Sequence, residues 1–238
     1  IYSFFRKVKW SIARCLINIF ATERVACSYE AGLALFGNKK FEIIENGIDM
    51  NNFYYNQDIR KKLREDLNLT DKNIVLGHVG RFDQSKNHEF LIDLMTELVK
   101  TNENYKLMLV GDGVKMSAIK SLVKERKLKN KVIFLGSVND TYRYYNAFDL
   151  FVFPSIYEGL GISLIEAQAN GLTCFASSNV PLESKITENV QYLDLTNLDD
   201  WVEKISDASK VRNSVDLNKS KYNIKTVVNK LKQIYDKK

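Results

Sequence analysis

The sequence predicts an α/β fold: one doubly wound, parallel, Rossmann-like β-sheet with helices on both faces. Three observations predict it. Short, near-continuous apolar runs recur at 74–79, 105–110, 131–135, 149–153, 172–176 and 190–193. Strands of that kind belong to sheets covered on both sides. Segments with a helical period fall between several of these runs, as in β-α-β units. Several runs also end in glycine, at Gly80, Gly111 with Gly113, and Gly136, where a strand hands over to a loop. Right-handed crossovers then bring the carboxyl ends of the strands to one rim, where such sheets bind ligands.

Each element has its own signal. Residues 2–20 have a helical period, with Phe4, Phe5, Val8, Ile12, Leu16, Ile19 and Phe20 on one side and Arg6, Lys7, Lys9 and Arg14 tending to the other. Such a basic amphipathic helix packs on a core or lies on an anionic membrane surface. A short strand at 24–28, a helix at 29–36 stopped by Gly37, and a strand at 41–44 follow. Asn46-Gly47-Ile48-Asp49 reads as a turn or linker. From residue 73 the strands alternate with helices at 89–100, 114–127, 140–147 and from the Gly159–Gly161 loop to about 170. Asn87 and His88 are expected to cap the first of these. Helices at 199–210 and 223–235 close the chain.

Composition bounds the function. The 238 residues are 45% hydrophobic with only 11 Gly and 2 Pro, enough for a core and against disorder. Net charge is +6, which favours anionic partners. The basic residues concentrate at the two ends rather than in an aromatic-studded groove, so no nucleic-acid partner is expected. Of three cysteines, Cys15, Cys27 and Cys174, two lie in strand-like apolar runs. Buried, reduced thiols in a cytoplasmic protein are expected. No apolar run reaches membrane-spanning length, and His78 and His88 stand at no metal-ligand spacing. P-loop and dinucleotide fingerprints are absent, and His78 reads as a packed strand residue.

The richest stretch is Tyr157-Glu158-Gly159-Leu160-Gly161-Ile162-Ser163-Leu164-Ile165-Glu166-Ala167-Gln168. It joins a strand to a helix. Its glycines allow a ligand close to the backbone, and the free N–H groups of the helix start suit a phosphate. Glu158 and Glu166 would repel phosphate but accept hydrogen bonds from sugar and ribose hydroxyls. Arg81 and Lys86, after the first strand of the sheet, can reach anionic oxygens on the same rim. Taken singly, each is an ordinary surface feature. Their convergence points to a sugar attached to a phosphate.

The ordered set of motifs resembles the retaining GT-B glycosyltransferases of family 4, and among them the bacterial enzymes of capsule and exopolysaccharide synthesis. It comprises Asn46-Gly47-Ile48-Asp49, Gly80-Arg81-Phe82 with Lys86-Asn87, Val110-Gly111-Asp112-Gly113, Phe134-Leu135-Gly136, and Glu158-x7-Glu166 with its flanks from Pro154. The resemblance covers about residues 20–236. It implies that Gly80, Arg81 and Lys86 hold the diphosphate of a nucleotide-sugar donor, a UDP-sugar by analogy. Glu166 would bind the ribose, Glu158 the transferred sugar as the catalytic carboxylate, and Val138 the base. The backbone of Gly159, Leu160 and Gly161 would lie beside sugar and phosphate. It further implies no metal or other cofactor, and a glycan or lipid-linked saccharide acceptor at the inner face of the cell membrane.

The GT-B pattern divides the chain into 1–50, the tail of a largely absent N-terminal acceptor domain; 51–215, the nucleotide-sugar-binding domain; and 216–238, a helix crossing back toward the N-terminal domain. The chain then reads as the donor-binding part of a hexosyltransferase. Two other readings stand beside it, a sugar-nucleotide epimerase of the same fold and a non-catalytic nucleotide-binding or scaffold module.

Overall fold

The computed structural model describes residues 11, 13–213 and 220–236. It divides the chain into two units, Met50–Asp216 and the described parts of Ile1–Asp49 with Leu217–Lys238.

The smaller unit holds a helical segment at 13–20 and a two-stranded parallel sheet, β1 (Val25–Ala26) with β2 (Glu42–Ile43). Helix α1 (Tyr29–Phe36) is capped by the Ser28 hydroxyl and ended by Gly37 at φ 61°, as its sequence predicts. Ile48 of the expected linker instead bridges in parallel to Asn223, just ahead of the last helix. That helix places Val227 and Ile234 on Ile44 in a small core. Among the described residues the apolar side of 13–20 meets no core: Leu16, Ile19 and Phe20 are exposed, and Asn18 bonds to the carbonyls of Arg14 and Leu35. The rest of the amphipathic helix expected over 2–20 lies outside the described residues.

The larger unit contains the six-stranded parallel sheet: β3 (Ile74–Val79), β4 (Tyr105–Val110), β5 (Val132–Gly136), β6 (Leu150–Phe153), β7 (Thr173–Ser177) and β8 (Val190–Leu193). Their spatial order is β5-β4-β3-β6-β7-β8. The chain winds outward from β3 through β5, returns to β6 beside β3, and winds the other way. The order therefore reverses between β3 and β6, which is where an open α/β sheet leaves a crevice at its carboxyl edge.

Two helices not anticipated from the sequence precede the sheet, α2 (Met50–Phe53) and α3 (Gln57–Asp66). The signal for α3 was present: Asn56 caps it through Ile59 N, and Ile59 and Leu63 stand one turn apart. Helices α4 (His88–Thr101), α5 (Met116–Glu125), α6 (Thr141–Tyr145), α7 (Ile162–Ala169) and α8 (Leu198–Ser206) match predicted segments with shorter ends, and α9 (Ile224–Tyr235) belongs to the smaller unit. Leu76, Leu107, Leu109, Leu150 and Val152 of one sheet face pack on α4, α5 and α8 around buried Trp201. The alternate residues face the other way. There, a side chain on Gly77 would collide with the Phe148 ring, so glycine admits that ring against the sheet.

Two sequence expectations are corrected. Asn87 sits at the start of α4 in a left-handed conformation with no capping bond from its side chain, and His88 is buried, its ring 3.9 Å from that of Phe82. Packing under the β3 loop outcompetes capping for that imidazole. Cys15 and Cys27 are exposed, and only Cys174 is buried. β1 is too short and too near the surface to cover Cys27. Among the described residues no helix is long and apolar enough to cross a membrane.

Candidate functional site

The rim above the β3–β6 crevice is built largely from backbone. Gly80 N donates to Val110 O, Phe82 N to Asp112 O, and Gly111 N to Gly136 O, tying together the loops that follow β3, β4 and β5. The β3 and β4 loops approach so closely that a Cβ on Gly111, at φ 134°, would lie 2.1 Å from Gly80 O. The loop after β6 is stitched to the loop after β3 by Ile156 N, which donates to Ser85 O at 2.8 Å.

On this frame Lys86 and Glu158 meet. Lys86 Nζ donates to Glu158 Oε1 across the crevice, with both side chains largely shielded from water. The ammonium also stands 5.0 Å above the Phe153 ring. A cation and an anion predicted for phosphate and sugar are thus each other's partners. Arg81 is exposed on the same loop. Beneath them His78 is fully buried, its Nδ1 2.8 Å from Val152 O, which makes Nδ1 the donor and leaves Nε2 unpartnered. Burial, with His88 and Lys86 close by, holds His78 well below its ordinary pKa, and burial with Lys86 and Lys115 brings His88 down to about 4. Both rings are neutral near pH 7, so the positive charge beside them comes from Lys86 and Lys115, with Arg81 exposed on the same loop as Lys86.

The two glycines of the loop differ in role. A side chain on Gly159 would meet nothing within 4 Å, so its face of the loop is open. Gly161 is buried at the start of α7 with φ 80°, and its glycine is demanded by the backbone. No side chain caps α7, which leaves its first N–H groups directed at the loop. Leu160 and, on the loop after β5, Val138 are half-buried.

Glu166 lies one turn into α7. Burial raises its pKa to about 7, and a hydrogen bond from Tyr145 partly offsets that rise. Tyr145 Oη donates to Glu166 Oε2 at 2.6 Å. In the sequence Tyr145 reads as one of several aromatics packing over the sheet. The contact to Glu166 depends on α6 and α7 being neighbours, which no local pattern states. Among the described residues no group of three or more His, Cys, Asp or Glu side chains is placed to hold a metal ion.

The sequence profile of the family described as glycosyl transferases group 1 matches residues 59–226. The putative glycosyltransferase EpsF of Bacillus subtilis is 35% identical over 174 residues, covering 71% of this chain and 45% of its own. An N-acetylgalactosaminyltransferase of Campylobacter jejuni, named for a diphospho-undecaprenol-linked acceptor, is 40% identical over 131 residues, covering 55% of this chain and 33% of its own. The chain thus spans half or less of the length of these curated relatives. Among solved structures, Anabaena HepE in complex with UDP-glucose superposes with a TM-score of 0.81 at 21% identity, covering all of this chain and 70% of HepE. That likeness is one of fold.

Proposed function

This chain belongs to the glycosyl transferases group 1 family, and from that membership we propose that the β3–β6 crevice binds the nucleotide-sugar donor of a retaining sugar transfer. Lys86 and Arg81 take the diphosphate, and Glu166 the ribose hydroxyls. Glu158 contacts the transferred sugar, and Val138 lies beside the base. The observation that carries this reading is the meeting of Lys86 and Glu158 where the strand order reverses. A diphosphate entering there gives Lys86 a stronger anionic partner and frees Glu158 to accept from sugar hydroxyls. Arg81, Lys86 and the uncapped start of α7 offset the charge that develops on the departing diphosphate.

UDP is favoured as the nucleotide because HepE, which shares the fold, was solved with UDP-glucose. A lipid-linked glycan is favoured as the acceptor because the Campylobacter relative is named for one. Polysaccharide assembly at the inner face of the cell membrane fits both. Calorimetric titration with UDP and GDP tests the donor site. UDP is expected to bind, and Glu166→Ala to weaken it by about tenfold or more, the cost of losing hydrogen bonds to a charged group. Failure of UDP and GDP alike to bind, or equal affinity in the variant, overturns the assignment.

A further inference from the structure

Glu166 is held by one side chain whose role goes beyond packing. Tyr145 ends α6 and is fully buried. Phe53 and Phe148 stand edge-on to its ring at 5.7 and 5.6 Å, with Phe151 at 5.7 Å. Its carbonyl accepts from Arg212 Nη2 at 2.9 Å. Ring and backbone are therefore both fixed, and the hydroxyl is delivered to one place. There it has two acceptors, Glu166 Oε2 at 2.6 Å and Ser163 O at 3.3 Å. The Tyr145 bond engages Oε2 and leaves Oε1 outside it.

We propose that Tyr145 is a positioning residue for the donor's ribose: its hydroxyl holds Oε2 of Glu166 and favours the ionised carboxylate, leaving Oε1 for the vicinal hydroxyls. This rests on the donor-site reading above. When Glu166 is ionised, Tyr145 donates to Oε2 and ribose hydroxyls donate to Oε1. When Glu166 takes up a proton, the carboxyl O–H donates to Tyr145 Oη, and the phenol turns its own proton to Ser163 O. The protonated acid is the weaker acceptor for ribose. Nucleotide binding therefore expels the proton, and the phenol sets how readily it leaves.

The surroundings leave this pair in control. The segments α2 and β6 contribute no titratable side chain to the contact. Cys174 of β7 is buried with its thiol pushed far up, hence neutral. Glu183 and Lys185, at the short turn after β7, are exposed. Glu158, on the loop ahead of α7, is already paired with Lys86. Arg212 stands near Cys174 and spends its guanidinium on main-chain carbonyls and Asn170.

Two measurements test the proposal. Carboxyl NMR of the free protein follows the titration of Glu166, and calorimetry follows UDP affinity from about pH 6 to about pH 9. Tyr145→Phe keeps the ring and removes the hydroxyl. It is expected to move the Glu166 titration upward and to weaken UDP about tenfold near neutrality, with the deficit shrinking as pH rises. Glu166→Gln is expected to bind weakly and independently of pH over this range. An unmoved titration in Tyr145→Phe overturns the proposal whatever UDP does. A moved titration with UDP affinity equal to wild type at every pH overturns the ribose role while the donor site stands. No UDP binding by the wild-type chain overturns both.

Discussion

At the scale of single residues, the larger unit's buried ionisable groups pull against one another. Unfolding returns Glu166 from about 7 to its ordinary 4.5. Between those values the native state holds a proton that the unfolded chain has lost, so this group's contribution to stability falls as pH rises through that window. The histidines act with opposite sign. Below pH 6.5 the unfolded chain takes up protons that His78 and His88 refuse while folded, so stability is lost as pH falls. Together they place a stability maximum near the middle of the range, at roughly pH 6.5. Glu166→Gln is expected to remove the decline above the maximum and to steepen the rise below it, because the opposing carboxyl contribution between 4.5 and about 7 is gone. Thermal unfolding across pH reads this, and an unchanged alkaline decline in the variant would show that another group sets it. The sequence marks both glutamates as candidates, by spacing from the glycine loop. It gives no sign that one is paired with a lysine and the other buried against a phenol.

At the scale of elements, α3 and the chain entering β6 are joined by a charge cluster that the sequence does not advertise. Arg60 and Arg64 both reach Asp149, at 2.5 and 3.1 Å. Asp149 also accepts from Val75 N at the start of β3, at 2.7 Å. Arg64 is 4% exposed and donates to the carbonyls of Thr70, Asn73 and Ala147 as well. Arg212 closes the network on the carbonyls of Tyr145 and Phe148, and burial brings its pKa down to about 10. The cluster anchors α6, and with it Tyr145. Arg64→Ala leaves several buried acceptors unmet and a carboxylate short of one partner. It is expected to cost about 3–5 kcal/mol, the range for breaking one side of a buried ion pair. Urea unfolding followed by Trp201 fluorescence measures it, since Trp201 is wholly buried in the main core. A loss below about 1 kcal/mol, typical of exposed pairs, would show that the arginine is dispensable.

At the scale of the whole molecule, 35 basic residues outnumber 29 acidic ones. In the donor-site reading a polyanionic nucleotide is drawn to such a chain before it finds the crevice, so its association rate is expected to fall as salt rises. Lys86→Ala removes a charge that touches the ligand in the donor-site reading. Its loss of affinity is expected to persist at high salt, because a shielded contact is screened less than the general field. Stopped-flow binding at several ionic strengths separates the two effects. If the variant's deficit vanishes at high salt, Lys86 acts only through long-range attraction.

The sequence alone determined the local and periodic features. Apolar runs of strand length, helical periods between them and glycines at strand ends follow from side-chain pattern and backbone sterics, which act over a few residues. Those patterns place the α/β class, the parallel sheet and most element positions on the page, and the spacing of Arg81, Lys86, Glu158 and Glu166 marks the rim. Tertiary structure decided what depends on which segments become neighbours. The strand order that sets β3 beside β6, the pairing of Lys86 with Glu158 across 72 residues, the Tyr145–Glu166 bond and the arginine cluster on Asp149 are all of this kind. So is the burial that raises Glu166 and silences the two histidines. Burial and cross-chain contact are properties of the packed sheet, and a side chain's neighbours in sequence do not carry them.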